Sequence, residues 1–260
     1  MKFYKIHLFI FLLLPLVTFS QTIQTLYLSG KDNMHTKTWD FYCTDGRQSG
    51  SWEKIEVPSH WEQQGFGTYN YGRDYHTYGK DFKFADEKGL YKYTFTVPQT
   101  WKGKIVNIVF EGSMTDTKVK INGDSTGPVH QGAFYMFKYD ITDLLKYGQD
   151  NLLEVEVSKM SANHSVNRAE RYADYWIFGG IFRPVFLEAL PEQHIENIGI
   201  NALADGSVES SFNLANLKEK SSLQVIIAGP DGGKIQRIIE TVKPSSKPVT
   251  VKSKIEKPKL

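Results

Sequence analysis

The chain has 260 residues, enough for one large or two modest domains, and 40% hydrophobic with 13% aromatic side chains allow a substantial core. Its 31 basic side chains nearly balance 29 acidic ones, for a net charge of +2, and no basic stripe stands out, which argues against nucleic-acid binding. Cys43 is the only cysteine, so an internal disulfide is excluded and stability must come from packing.

Residues 1–20 read as an export signal. Lys2 and Lys5 form a basic start, Ile6 to Val17 is almost wholly apolar, and Thr18-Phe19-Ser20 offers small residues where cleavage is expected. The apolar run is too short to span a bilayer, and no cysteine lies near the cut to carry a lipid. The mature chain is expected to begin near Gln21 and to be periplasmic or extracellular, without a membrane span.

From Leu26 the pattern is short strands and turns. Leu26–Ser29 and Thr38–Cys43 read as strands, and Trp52–Val57 alternates apolar and charged residues up to Pro58. Thr68 to Phe84 is polar, aromatic and dotted with glycine. It is long for a plain connector, which favours a functional loop. Leu90–Val97 alternates again, whereas Ile105–Phe110 is nearly all apolar and suits a strand covered on both faces. Thr117–Ile121 runs into Asn122-Gly123, a strong hairpin signal. Asp140 to Gly148 suggests one capped helical turn, and Leu153, Val155 and Val157 alternate with Glu154 and Glu156.

The stretch Tyr172–Glu188 gathers Tyr172, Tyr175, Trp176 and Phe178 around one carboxylate, Asp174. It then turns at Gly179-Gly180 into a β-rich run, Ile181–Leu187. Rings can cover the apolar face of a pyranose while a carboxylate accepts bonds from its hydroxyls. The competing reading is a packed corner with a solvated Asp. Fourteen Tyr and five Trp supply many such amphipathic rings. Regular strands with long loops predict an antiparallel, jelly-roll β-sandwich over residues 21–191. Ile198 and Ile200, the Asp205-Gly206 turn, Ser207–Leu214, Leu223–Ala228 and Lys234–Val242 predict four or five further strands over residues 192–260. The Lys-rich end from Lys243 to Lys259 reads as a solvated strand and turn. An immunoglobulin-like sandwich needs about seven strands, so this second module is expected to be truncated.

Taken in order, several segments match one family: Val57-Pro58-Ser59-His60-Trp61-Glu62, Gly89–Phe95, Phe110-Glu111-Gly112, Val119–Gly123, Tyr139–Leu145 and Asp174–Arg183. Their order and spacing across residues 26–190 resemble the N-terminal part of family 2 glycoside hydrolases, the β-galactosidase, β-glucuronidase and β-mannosidase group. The resemblance implies a sugar-binding, galactose-binding-like jelly roll, followed by part of an immunoglobulin-like domain. It implies a retaining enzyme whose two carboxylates, roughly 5–5.5 Å apart, lie on a catalytic barrel beyond Leu260. No acid in this chain takes a catalytic role, and the chain alone is expected to be inactive.

The resemblance also assigns a substrate-binding role to Asp174, at the galactosyl 6-hydroxyl, with a share in holding sodium. Its neighbour Trp176 and the loop around Arg73 and Asp74 complete the substrate-binding set. The galactosidase pattern has an Asn near positions 73–74, where this sequence has Arg-Asp. A guanidinium there suits an acidic sugar. The chain itself needs no cofactor, although the intact enzyme could use sodium or magnesium. The expected partners are a β-galactoside or related glycoside, the catalytic barrel of the same polypeptide and, in some assemblies, further copies of the subunit.

Other candidates read as structural. His60 beside Trp61 is expected to pack the domain, and Arg183 to satisfy a buried acid such as Glu111. His76, His130, His164 and Cys43 share no zinc-ligand spacing. Asn163-His164-Ser165 is a glycosylation sequon, and Asn167–Arg171 could line the sugar site or form salt bridges at its rim. The alternatives to a glycosidase front end are a free-standing, non-catalytic carbohydrate-binding module and a purely structural domain.

Overall fold

The computed structural model describes residues 23–229, 232–245, 247–256 and 258, and the expected export signal lies outside them. Residues 24–190 form two antiparallel sheets that share one core. The first has four strands in the order Gln24–Tyr27, Val185–Leu190, Ile105–Phe110, Phe137–Asp140. The second has six, ordered Trp52–Val57, Lys37–Cys43, Lys88–Thr96, Asp150–Ser158, Asp116–Ile121, Asp124–Ser125. This is the all-β sandwich that the alternating sequence predicts.

Alternation decides which side chains enter that core. Leu153, Val155 and Val157 are buried between the half-exposed Glu154 and Glu156. Trp39, Phe41 and Tyr91 from one sheet meet Ile108, Phe110, Val185 and Leu187 from the other. Ile105–Phe110 runs between two partner strands and is buried along nearly its whole length, as its apolar sequence requires. Asn122 and Gly123 both take positive φ, 55° and 93°, the geometry of a two-residue hairpin.

Some local expectations change in three dimensions. Residues 140–148 form only a 3₁₀ turn, Thr142–Leu144. Asp140 Oδ1 does accept from the Thr142 amide at 2.9 Å. The Gly148 amide, however, donates to the Val97 carbonyl at 2.8 Å, and the Asn122 side chain donates to the Leu144 carbonyl at 2.8 Å, so the turn is not propagated. The strand expected over residues 181–187 begins only at Val185, because Gly180 and Ile181 bond instead to Met114 and Ser59. A helix, His164–Glu170, forms where no 3.6-residue apolar period announces it. Asn163 caps it, accepting from the Ser165 amide at 3.0 Å.

Beyond residue 191, five strands among the described residues form two sheets. One comprises His194–Ala202, Ser207–Ala215 and Val249–Lys254, and the other pairs Ser221–Ala228 with Lys234–Val242. Phe212, Leu223, Val242 and Val251 are their buried centre. Ile198 and Ile200 do alternate on a strand, but both are exposed, at 50% and 70%.

Candidate functional site

Trp61 organises the end of the sandwich that carries the aromatic stretch. Its indole is fully buried and lies directly on two glycines. A Cβ on Gly179 would fall 2.0 Å from the ring, and one on Gly89 would fall 2.7 Å from it. Both positions need glycine because the ring fills their side-chain space. The Trp61 amide donates to the Gly179 carbonyl at 3.3 Å and the Ser59 amide to the Ile181 carbonyl at 2.8 Å. The segment around Pro58-Ser59-His60-Trp61 and the Gly179-Gly180 turn are thereby stitched together. His60 is stacked between Phe178 and Phe182, with ring centroids at 4.8 and 5.2 Å. Burial pulls its pKa below the ordinary histidine value, which favours a neutral, packed ring.

Beneath this corner lies a charged cluster that sequence reasoning missed. The Lys159 ammonium is wholly buried and lies 2.8 Å from both Glu62 Oε1 and Glu87 Oε1. It also donates to the Thr68 carbonyl. Glu62 accepts from the Gly179 amide at 3.0 Å, and Glu87 from the Thr68 amide at 2.8 Å. One cation therefore serves two carboxylates. Burial pushes the Glu62 carboxyl above its usual range, and Lys159 opposes that rise. Arg171 is also buried: it donates to the Phe178 carbonyl at 3.0 Å and to the Thr115 hydroxyl, and burial lowers its pKa to about 10. Lys159 follows the alternating Leu153–Val157 run and Glu62 sits in the Trp61 motif, whereas Glu87 and Arg171 lie among other polar residues and carry no such signal.

The cluster fixes the roots of two segments that meet at the surface. Asn70–Tyr71 pairs with Trp176–Ile177 as a small antiparallel ladder, Tyr71 opposite Trp176. The Gly72 amide donates to the Tyr175 carbonyl at 2.8 Å. Tyr69 and Tyr71 meet the Trp176 ring edge-on at 5.9 and 5.4 Å, leaving the indole 54% exposed. Beside it, the Arg73 Nε lies 2.7 Å from Asp174 Oδ1, and the Tyr71 hydroxyl donates to the same oxygen at 3.4 Å. Asp174 and Arg73 stay 62% and 51% exposed, so both can reach a ligand.

The structure thus brings Asp174, Arg73 and Trp176 together. Asp74 is spent differently, because its Oδ2 accepts from the Tyr71 amide at 2.8 Å and holds the loop. Among the described residues Arg183 satisfies no acid. Its guanidinium is exposed, lies over the Phe182 ring, and among the described residues hydrogen-bonds the Glu111 and Phe134 carbonyls, at 3.5 and 3.4 Å. Arg168, in the helix ahead of the aromatic stretch, forms no rim salt bridge among the described residues. Asn163 of the sequon is exposed at the helix cap.

The Arg73 guanidinium lies against Asp174 Oδ1, so a sodium ion at this carboxylate would have to share it with that cation. Among the described residues no three His, Cys, Asp or Glu side chains converge.

Residues 39–191 match the profile described as glycosyl hydrolases family 2, sugar binding domain. A β-galactosidase of Thermoanaerobacter pseudethanolicus is 32% identical over 186 residues, 69% of this chain and 24% of that protein. A β-galactosidase of Priestia megaterium is 32% identical over 166 residues, 61% of this chain and 16% of the relative. Among solved structures, a β-glucuronidase of Bacteroides uniformis shares the fold with a TM-score of 0.67 at 23% identity, over 92% of this chain and 28% of that one. The chain spans about a quarter or less of the length of these curated relatives.

Proposed function

The chain belongs to glycoside hydrolase family 2, and from that premise we propose that it works as the sugar-binding front of an exported, retaining β-glycosidase of β-galactosidase type. In this reading the sandwich supplies one wall of the substrate pocket, and a catalytic barrel of the same polypeptide supplies the acid and the nucleophile. One observation carries the reading. Two segments about a hundred residues apart in sequence are paired so that a half-exposed indole and a carboxylate face the same surface. The indole offers a face to the apolar side of a pyranose, and Asp174 accepts from its hydroxyls.

The experiment is steady-state kinetics of the intact enzyme and its Asp174→Asn variant. We expect kcat/KM to fall about a hundredfold or more with melting unchanged, as for a lost charge-assisted hydrogen bond in the transition state. Wild-type kinetics in the variant on both natural and chromogenic galactosides would remove Asp174 from the pocket. A second reading, a uronidase, is favoured by Arg73, since a guanidinium pairs with a sugar carboxylate in a fork geometry. Parallel assays on a β-galactoside and a β-glucuronide separate the two.

A further inference from the structure

A groove of about 520 Å³ opens between the Thr68–Phe84 loop and the helix His164–Glu170. Its floor is aromatic. Phe84 and Tyr172 stack at 5.4 Å, with Tyr75 5.8 Å from Tyr172 and Phe82 5.2 Å from Phe84. Its charged walls are all basic: Lys80 from the loop, and His164 and Arg168 from the helix. No acidic side chain lines it, and among the described residues neither Lys80 nor Arg168 forms an ion pair or a side-chain hydrogen bond. Most exposed lysines that do pair in this protein have a carboxylate within about 3 Å, as Lys54 and Lys88 do at 2.5 and 2.8 Å. The rings alone would be accounted for as the small core of a long loop. Two unpaired cations facing the same cleft from separate elements are not, because a loop core needs no charge.

We propose that this groove is a second saccharide subsite, selective for a sugar bearing an anionic group, either a carboxylate or a sulfate. The proposal rests on the carbohydrate reading given above and extends it to the part of the ligand beyond the Asp174 corner. Tyr172 is two residues from Asp174, and Tyr75 is two residues from Arg73, so a glycan chain passing over the loop meets both places. Rings bind the apolar sugar faces, while Lys80 and Arg168 bind the anion. The attraction is between exposed charges, so it weakens with salt.

The test is affinity electrophoresis of the purified chain through gels containing polygalacturonate, a sulfated galactan or a neutral galactan. Lys80→Glu/Arg168→Glu is run beside wild type, with circular dichroism as the fold check, since both side chains lie at the surface. Wild type is expected to be retarded by at least one anionic polymer and less by neutral galactan. The double variant should weaken that retardation about tenfold or more in apparent Kd, as loss and reversal of two rim charges implies. Retardation by the uronate gel alone, or by the sulfate gel alone, identifies which anion the groove takes. No retardation on either anionic gel, or equal retardation of wild type and double variant, overturns the subsite. Neither result bears on the Asp174 kinetics, so the two readings fail separately.

Discussion

Lys159 shows how much depends on single buried charges here. Among the described residues it is the sole ion-pair partner of two carboxylates that are themselves buried, and it also holds the Thr68 carbonyl. Lys159→Met leaves Glu62 and Glu87 facing each other without compensation. Removing one member of a buried ion pair costs about 3–5 kcal/mol, and urea unfolding should show a loss of that order. The sign of its pH dependence follows from Glu62. Burial already raises the Glu62 carboxyl, and without the ammonium its folded pKa rises further above the unfolded value, so the variant binds a proton on folding. Its stability should therefore fall as pH rises from 5 to 8, and the gap to wild type should narrow in acid. A pH-independent gap would show that packing rather than charge is what Lys159 supplies. Gly179 makes a steric case of the same kind. Gly179→Ala places a methyl 2.0 Å from the Trp61 indole, and overpacking costs typically about 1–3 kcal/mol. Trp61→Phe should relieve part of that cost. A double-mutant cycle with no favourable coupling would mean that the backbone, not the ring, resists the methyl.

At the scale of elements, turns and caps do what their residues dictate as long as no distant group competes. The Asn122-Gly123 hairpin is such a case. Nothing lies within 4 Å of a Cβ built on Gly123, whose φ is 93°. Gly123→Ala should thus cost only the left-handed backbone penalty, about 1–2 kcal/mol, without moving the strands. The Asp205 turn is a second. Its carboxylate accepts from Lys254 Nζ at 2.9 Å and from the Ser207 amide at 2.9 Å, and these bonds, that to Lys254 foremost, hold its pKa down to about 2. Because the value is lowered, the support these bonds give is present above the ordinary carboxylate range and is lost as pH falls from about 4 towards 2. An NMR titration of Asp205 should give a midpoint near that lower value, and a midpoint near 4 would show the turn open in solution. Residues 140–148 illustrate competition: the cap forms at Asp140, but the Val97 carbonyl takes the Gly148 amide that a longer helix would need.

For the whole molecule, the proposed role makes demands that extend beyond the sandwich. The chain covers 24% of the Thermoanaerobacter β-galactosidase. An antibody raised against residues 23–229 should therefore detect, in the native host, a polypeptide far above 29.7 kDa, with room for a barrel of about 250 residues. A band at 29.7 kDa or slightly below would favour a free-standing binding module, and sugar titration would replace kinetics as the test of function. The proposed export is checked on the same material: fractionation should place the protein outside the cytoplasm, with a mature N-terminus near Gln21.

What the sequence determined by itself is what depends on near neighbours along the chain. Strand alternation in Leu153–Val157, the apolar run Ile105–Phe110, the Asn122-Gly123 turn and the ordered landmarks from Val57 to Arg183 were all legible, because each is written within a few residues. So was the presence of rings and a carboxylate in Tyr172–Phe178. Tertiary structure alone decided that Arg73 meets Asp174, that Tyr71 pairs with Trp176, and that Asp74 is consumed by its own loop. It alone made Lys159 rather than Arg183 the cation that buried acids require. The physical reason is common to all of these. A side chain's periodicity tells which face it takes, but burial of charge and the meeting of two loops are set by contacts 70 to 120 residues apart, and such contacts leave no local period to read.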